Sequence, residues 1–443
     1  MKKIFTHVLL GCLSISFFVS VAGKKEASAQ QESNELLKLP ELIVEATEKN
    51  PEIIAAKNKW QSAQEIIEAR RALPDPQFSY TYFVENVETR VGPQRHIIGA
   101  KQKFPFYGKR DLRADIAAME AEALQGFYEA VKQEIVRQVK NAFYDLFYVT
   151  TIIDITKKER EILKRFERIA RTKYETGKGS QQNILKVHVE ISKLDDRLLS
   201  LAIQKQTAEA LLNRLLDRPA DSPLGKPVEP KFSSIYFIKE ELFRLAKQNR
   251  PELNSGIALI EKSDKAYSLA KKDYYPDLTI GANYIEVDDG PLDVSDNGQD
   301  AFNIVFSINV PIWRKKLSSQ VRSAVQMIKA EKNNYQDTLN RTLFQVEDNY
   351  FKIQTERETF SLYKNVLIPQ AEQSMKSAEI GYIAGIVSFL DLLDAQRILL
   401  QIEYGYWQAY TNYLKRIADM ERAVGLPLAE RLPEDIEPEV LEE

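Results

Sequence analysis

The chain has 443 residues, 28% of them charged and 44% hydrophobic, and a formal net charge of −3. Such a balance suits a folded, water-exposed protein and leaves no electrostatic footprint for nucleic acid. The single cysteine, Cys12, excludes a disulfide framework and a thiolate metal cluster.

The N-terminus reads as an export signal. Lys2 and Lys3 precede an apolar run from Ile4 to Ala22, and Ala27-Ser28-Ala29 offers a small-residue cleavage site before Gln30. Segment 1–29 is therefore expected to be a signal peptide. A membrane anchor is the first alternative, but Thr6, His7, Ser14, Ser16 and Ser20 interrupt the run. Lipidation at Cys12 is the second; that cut would leave a strongly apolar new terminus. No later stretch has the roughly twenty apolar residues of a membrane helix.

From Leu39 to Leu73 apolar residues recur near helical spacing, with a break at Asn50-Pro51 and an abrupt end at Pro74-Asp75-Pro76. The period then becomes two. Phe78, Tyr80, Tyr82 and Val84 alternate with Ser79, Thr81, Phe83 and Glu85, which predicts a strand. A loop containing Gly92-Pro93 leads to a second, less regular strand at about Arg95 to Phe104. A helix is predicted from about Asp111 to Thr176, without proline and with only Gly126 inside. At 1.5 Å per residue that rod is on the order of 100 Å long, too long for a compact globular domain. Its apolar positions recur at threes and fours like a coiled-coil seam. After Gly177 a return helix runs from Ser180 to about Leu216, consistent with an antiparallel hairpin.

A Pro-rich linker, 217–235, follows, and the pattern starts again. Asn50-Pro51-Glu52-Ile53 is answered by Arg250-Pro251-Glu252-Leu253, Pro76 by Pro276, and Phe104-Pro105-Phe106 by Val310-Pro311-Ile312. Leu278, Ile280, Ala282 and Tyr284 share one strand face; Phe302, Ile304, Phe306, Ile308 and Val310 share another. A long helix from about Lys316 to Ile383 and a return helix from Ser388 to about Val424 complete the copy. The reading is a duplicated domain, 30–216 and 236–427, ending in an acidic tail, 428–443.

Each of the four strands is about the length of a tilted membrane strand, apolar on one face and small or polar on the other. Four strands cannot close a barrel, since the smallest have about eight, and lipid does not tolerate open edges. Several chains must then share one barrel. A soluble β-patch between helices is the alternative; the leader and the aromatic alternation favour the barrel.

The stretch Tyr382 to Gln396 is the most informative. Gly385 suits the helix break, Ser388 can cap the next helix, and Asp391 sits three residues on, as in a capping box. Asp391 and Asp394, spaced i, i+3, lie on one helix face. The same design recurs from Tyr174 to Leu185, with Gly177 and Ser180 at the turn. This stretch resembles the periplasmic gate segment of the TolC family of outer-membrane efflux proteins. Tyr382, Gly385, Asp391, Asp394 and Ala395 fall at matching positions, and the resemblance covers about Leu36 to Pro427. Phe106-Tyr107-Gly108-Lys109-Arg110 also resembles the segment after the strands in the heavy-metal branch.

The resemblance implies a mainly α fold with a small β part, built from long antiparallel coiled-coil hairpins and four transmembrane strands per chain. It implies a homotrimer whose chains share a twelve-strand barrel and a helical periplasmic tunnel. The partners it implies are outer-membrane lipid, a periplasmic adaptor engaging the hairpin tips around Gly177, Ser180, Gly385 and Ser388, and an inner-membrane transporter of RND or ABC type. It gives Asp391 and Asp394 the tunnel constriction and Tyr382 a gate-closing hydrogen bond to the neighbouring hairpin. Two positions depart from the family: its partner acid falls on Asn183 and its gate arginine on Val387. Asparagine can still accept a hydrogen bond.

Other chemistry is absent from the sequence pattern. His96 and His188 are far apart without a paired ligand spacing, and no phosphate loop or nucleophile arrangement occurs. The expectation is no enzyme activity, no cofactor and no metal site. The function expected is an exit duct of an efflux or type I secretion system; the alternative is a non-conducting coiled-coil scaffold, which a conductance measurement would separate. Asp391 and Asp394 also have a simpler reading as helix-start residues that favour the dipole.

Overall fold

A computed structural model describes residues 36–231, 238–291 and 295–428. The leader, including Cys12 and Ala27-Ser28-Ala29, and the acidic tail beyond Leu428 lie outside the described residues, as do residues 232–235 of the Pro-rich segment. Among the described residues no helix is long and apolar enough to cross a membrane.

The chain runs β1 (Leu36–Leu37), α1 (Leu39–Lys49), α2 (Pro51–Arg71), β2 (Gln77–Thr89), β3 (Gly92–Phe104), α3 (Lys109–Glu175) and α4 (Gln181–Leu215). It continues with β4 (Lys226–Pro227), α5 (Lys239–Asn249), α6 (Pro251–Lys272), β5 (Leu278–Val287), β6 (Ala301–Ile308), α7 (Arg314–Leu362), α8 (Ile368–Ala384) and α9 (Phe389–Val424). The break at Asn50 is a cap: its side-chain oxygen accepts from the amides of Glu52 and Ile53, and Pro51 opens α2 where no amide donor is needed. Gly126 marks the close crossing of α3 and α6. A Cβ there would lie 2.8 Å from the Pro251 carbonyl.

Strands β2, β3, β5 and β6 form one antiparallel sheet in that order. Its register sorts the faces. Tyr80, Ile98, Tyr284 and Phe302 align across one face, and Phe78, Ala100, Ala282 and Ile304 form the next row. The opposite face carries the row Ser79, Gly99, Asn283 and Asn303, where Asn283 Nδ2 donates to Asn303 Oδ1 at 2.9 Å. Phe78, Val84, Phe302 and Phe306 are 79%, 87%, 67% and 69% exposed, so the apolar face is bare in the single chain. Strands β2 and β6 each pair on one side only among the described residues.

The sheet is rooted to the helices by a buried ion pair. Lys109, 3% exposed at the start of α3, donates to Asp277 Oδ1 at 2.8 Å and to the Tyr275 carbonyl at 3.0 Å. Asp277 also accepts from the Phe106 amide at 3.0 Å and pairs with Lys103 at 3.0 Å. Burial would raise the Asp277 pKa, but Lys109, the Phe106 amide and Lys103 outweigh it and hold the carboxyl down at about 2. The Gly108-Lys109 segment that resembles the heavy-metal branch is thus a structural anchor.

The main core lies midway along the helices, where α1 and α5 pack against α3, α7 and α9 around Phe143, Leu146, Leu212, Leu242 and Tyr413. A second cluster near the hairpin turns gathers Leu163, Phe166, Val187, Met375, Tyr382, Phe389, Leu392 and Leu393.

Two expectations change. The helix expected from about Lys316 to Ile383 stays helical throughout but is not uniformly α: a π turn, Tyr363–Leu367, lies between α7 and α8. Pro369, in the first turn of α8, lacks the amide that would continue the α ladder. Gly405 of α9 also makes room for the turn, since a Cβ there would fall 2.4 Å from the Tyr363 ring. The segment after α4 is more than a linker. Val228 donates to the Leu37 carbonyl at 3.0 Å, and β1 and β4 pair in parallel.

Candidate functional site

The two hairpin turns form as the sequence spacing predicts. Gly177 and Gly385 have φ of +70° and +82°, the left-handed region where a side chain is strained, and neither has a neighbour within 4 Å of a built Cβ. Conformation alone therefore calls for glycine at these turns. Ser180 accepts from the Gln182 amide at 3.2 Å and caps α4. Ser388 and Asp391 make a reciprocal capping box: the Asp391 amide donates to Ser388 Oγ at 3.2 Å, and the Ser388 amide donates to Asp391 Oδ2 at 3.2 Å. Ser388 Oγ adds a third bond to Asp391 Oδ2 at 2.7 Å.

Asp391 and Asp394 are both exposed at the start of α9, while their neighbours Leu392, Leu393 and Ala395 are buried. Asp391 thus serves the helix start with one oxygen and leaves the other outward. Asp394 has no capping role. One turn on, Arg397 pairs with Glu190 of α4 at 2.5 Å.

Tyr382 is buried, 5% exposed, with its ring 5.1 Å from Phe389. Its hydroxyl has no hydrogen-bond partner among the described residues, so it does not meet Asn183 within the chain. Asn183 sits half-buried in the first turn of α4. Val387 packs on Gly381, where a Cβ would lie 2.5 Å from Val387 Cγ2. Sequence reasoning missed Lys173, near the end of α3. Its Nζ donates to the Tyr382 carbonyl and lies 4.3 Å from the Tyr382 ring centroid. A lone lysine in a charged helix carries no sequence signal for such a contact.

The hairpins are also tied by Arg165 to Glu379 at 2.9 Å and by Gln396 Nε2, which donates to Glu159 Oε2 at 2.6 Å. Glu159 is 6% exposed. Burial pushes its pKa up to about 7; the Gln396 hydrogen bond opposes this and the charge of Glu403 adds to it. Burial also raises Glu403, with Glu372 adding to it.

The family model for outer membrane efflux proteins matches residues 42–218 and again 242–426. This chain belongs to the outer membrane efflux protein family. It is 22% identical over 385 residues to the cobalt-zinc-cadmium resistance protein CzcC of Cupriavidus metallidurans, covering 85% of this chain and 87% of that protein. It is 20% identical to outer membrane protein TolC of Vibrio cholerae, covering 93% and 95%. Its fold is similar to the crystal structure of VceC from Vibrio cholerae, with a TM-score of 0.73 and 19% identity over 87% of this chain and 96% of that one. As an outer membrane efflux protein, the chain is a TolC-family member of the outer membrane that extends into the periplasm. Its family is one of channels, not enzymes.

Proposed function

We propose that the protein is a passive trimeric exit duct of an efflux or secretion system, moving cargo from the periplasmic side to the outside. The observation that carries this reading is the open sheet. Four strands with one bare aromatic face and a free edge at each end suit a shared twelve-strand barrel, because lipid demands closure of every edge. The two family matches support a duplicated chain, 30–216 and 236–427, each half giving two strands and one hairpin. Exported as the 1–29 segment suggests, it would meet a periplasmic adaptor at the turns around Gly177, Ser180, Gly385 and Ser388. An inner-membrane transporter would supply the energy.

At the tunnel mouth three copies of Asp391 and Asp394 would place six exposed carboxylates around one axis, with Tyr382 and Asn183 at the hairpin contacts. The relative named for cobalt, zinc and cadmium resistance makes divalent metal ions the first cargo to test. Conductance is the deciding experiment. Protein purified in mild detergent should sediment as a trimer and insert in planar bilayers as discrete conducting units. A fully folded, stable monomer in detergent would defeat the shared barrel, and a trimer without conductance would favour a scaffold.

A further inference from the structure

The second hairpin ends in a turn that carries apolar Val387 where the family resemblance leads one to expect an arginine. Val387 lies on Gly381, and the amides of Ile386 and Val387 both donate to the Gly381 carbonyl, at 2.9 and 3.2 Å. The cation arrives instead from the first hairpin. Lys173 Nζ bonds the Tyr382 carbonyl and stands 4.3 Å from the ring centroid of the same residue. Both targets suit an ammonium group. The Tyr382 carbonyl already accepts from the Gly385 amide at 3.2 Å, but an oxygen has a second lone pair; it sits at the negative end of the helix dipole, and a ring face is electron-rich.

The lysine is also held in place. The Lys178 amide donates to the Lys173 carbonyl at 2.8 Å, and a Cβ on Gly179 would lie 3.0 Å from Lys173 Cβ, so the first turn folds back on the lysine's stem. Other bridges between the hairpins, among them Arg165 to Glu379, Arg397 to Glu190 and Gln396 to Glu159, join residues outside the turn itself. Lys173 grips the turn directly.

We propose that Lys173 is the latch that holds the second hairpin turn against the first within each chain, in place of a cation at Val387. The proposal rests on the channel reading above and adds the group that regulates its opening. Tyr382 contributes its carbonyl and its ring face, and neither depends on its hydroxyl. Removing the ammonium frees the end of α8; keeping the charge on another side chain retains part of the grip.

The test is the open fraction of single channels in planar bilayers. Lys173→Met keeps the aliphatic stem and loses the charge; it should raise the open fraction several-fold, up to on the order of ten-fold for a contact of this kind. Lys173→Arg should stay near the parent. Combined with Tyr382→Phe, which keeps ring and carbonyl, Lys173→Met should show its full effect. Combined with Tyr382→Leu, which lacks the ring, it should show a smaller one. If Lys173→Met fails to assemble, Lys173→Gln gives the same contrast.

Equal open fractions in the parent and the charge-free variant overturn the latch. Should the parent trimer conduct nothing, the channel reading fails first, and amide exchange then decides the latch. The Ile386 and Val387 amides should exchange several-fold faster in the charge-free variant, and unchanged exchange overturns the proposal.

Discussion

Asp277 is one carboxylate that joins four things at the root of the sheet. It accepts from Lys109 and from the Phe106 amide, pairs with Lys103, and sits where β5 begins. Asp277→Asn would leave the buried Lys109 ammonium with only the more exposed Asp273, 3.6 Å away, as its counter-charge. Breaking one side of a buried pair costs roughly 3–5 kcal/mol, so the variant should melt well below the parent in a detergent thermal scan. The pH dependence follows from the lowered pKa. The stabilisation is fully present above the ordinary carboxylate range and is lost as pH falls towards about 2. Acid melting between those limits should be blunted in Asp277→Asn, and an unchanged acid profile would rule the pair out as its source.

Among the elements, the long rods behave differently in the two halves. Helix α3 is regular over 67 residues, whereas its counterpart carries a π turn just before Pro369. Below that level, α3 and α9 meet through Glu159 and Gln396, with Glu403 and Tyr404 of α9, Glu372 and Lys158 nearby. The Gln396 Oε1 atom is buried without a partner among the described residues. A protonated Glu159 could donate to it, a charged one could not. Because the folded pKa, about 7, lies above the ordinary 4.5, packing at this seam is strongest below 4.5 and weakens as pH rises through 7. Glu159→Gln should abolish that part of the pH dependence and stabilise the protein at pH ~8.5 by roughly 1–3 kcal/mol. Melting curves of parent and variant at pH ~5.5 and ~8.5 check this; parallel shifts in both would remove Glu159 from the account.

For the whole molecule, the proposed tunnel mouth is where charge should be read. In the proposed trimer, six carboxylates around a narrow axis would attract cations to the tunnel mouth. The expected outcome is cation-selective current blocked by multivalent cations from the periplasmic side. Asp391→Asn with Asp394→Asn should weaken both while leaving the trimer intact. Selectivity and block equal to the parent would reduce both aspartates to helix-start residues, a part Asp391 already plays in its capping box.

Much of the molecule was written locally. The glycines that turn the hairpins, the Ser388–Asp391 box, the Asn50 cap and the alternation of Tyr80 or Phe302 with small polar neighbours each depend on residues a few positions apart, so spacing alone determined them. The length of α3 followed from an uninterrupted periodic run in the same way. Tertiary structure decided what depends on distant pairs. Lys109 meets Asp277 across 168 positions, Glu159 meets Gln396 across 237, and Lys173 meets Tyr382 across 209. A lysine or glutamate on a long charged helix has the same local pattern whether it faces water or a distant partner. Only tertiary packing, of the sheet root on α3 and of one hairpin on the other, brings each charge to its distant partner, and burial then makes Lys109–Asp277 an anchor and Glu159 a titrating seam.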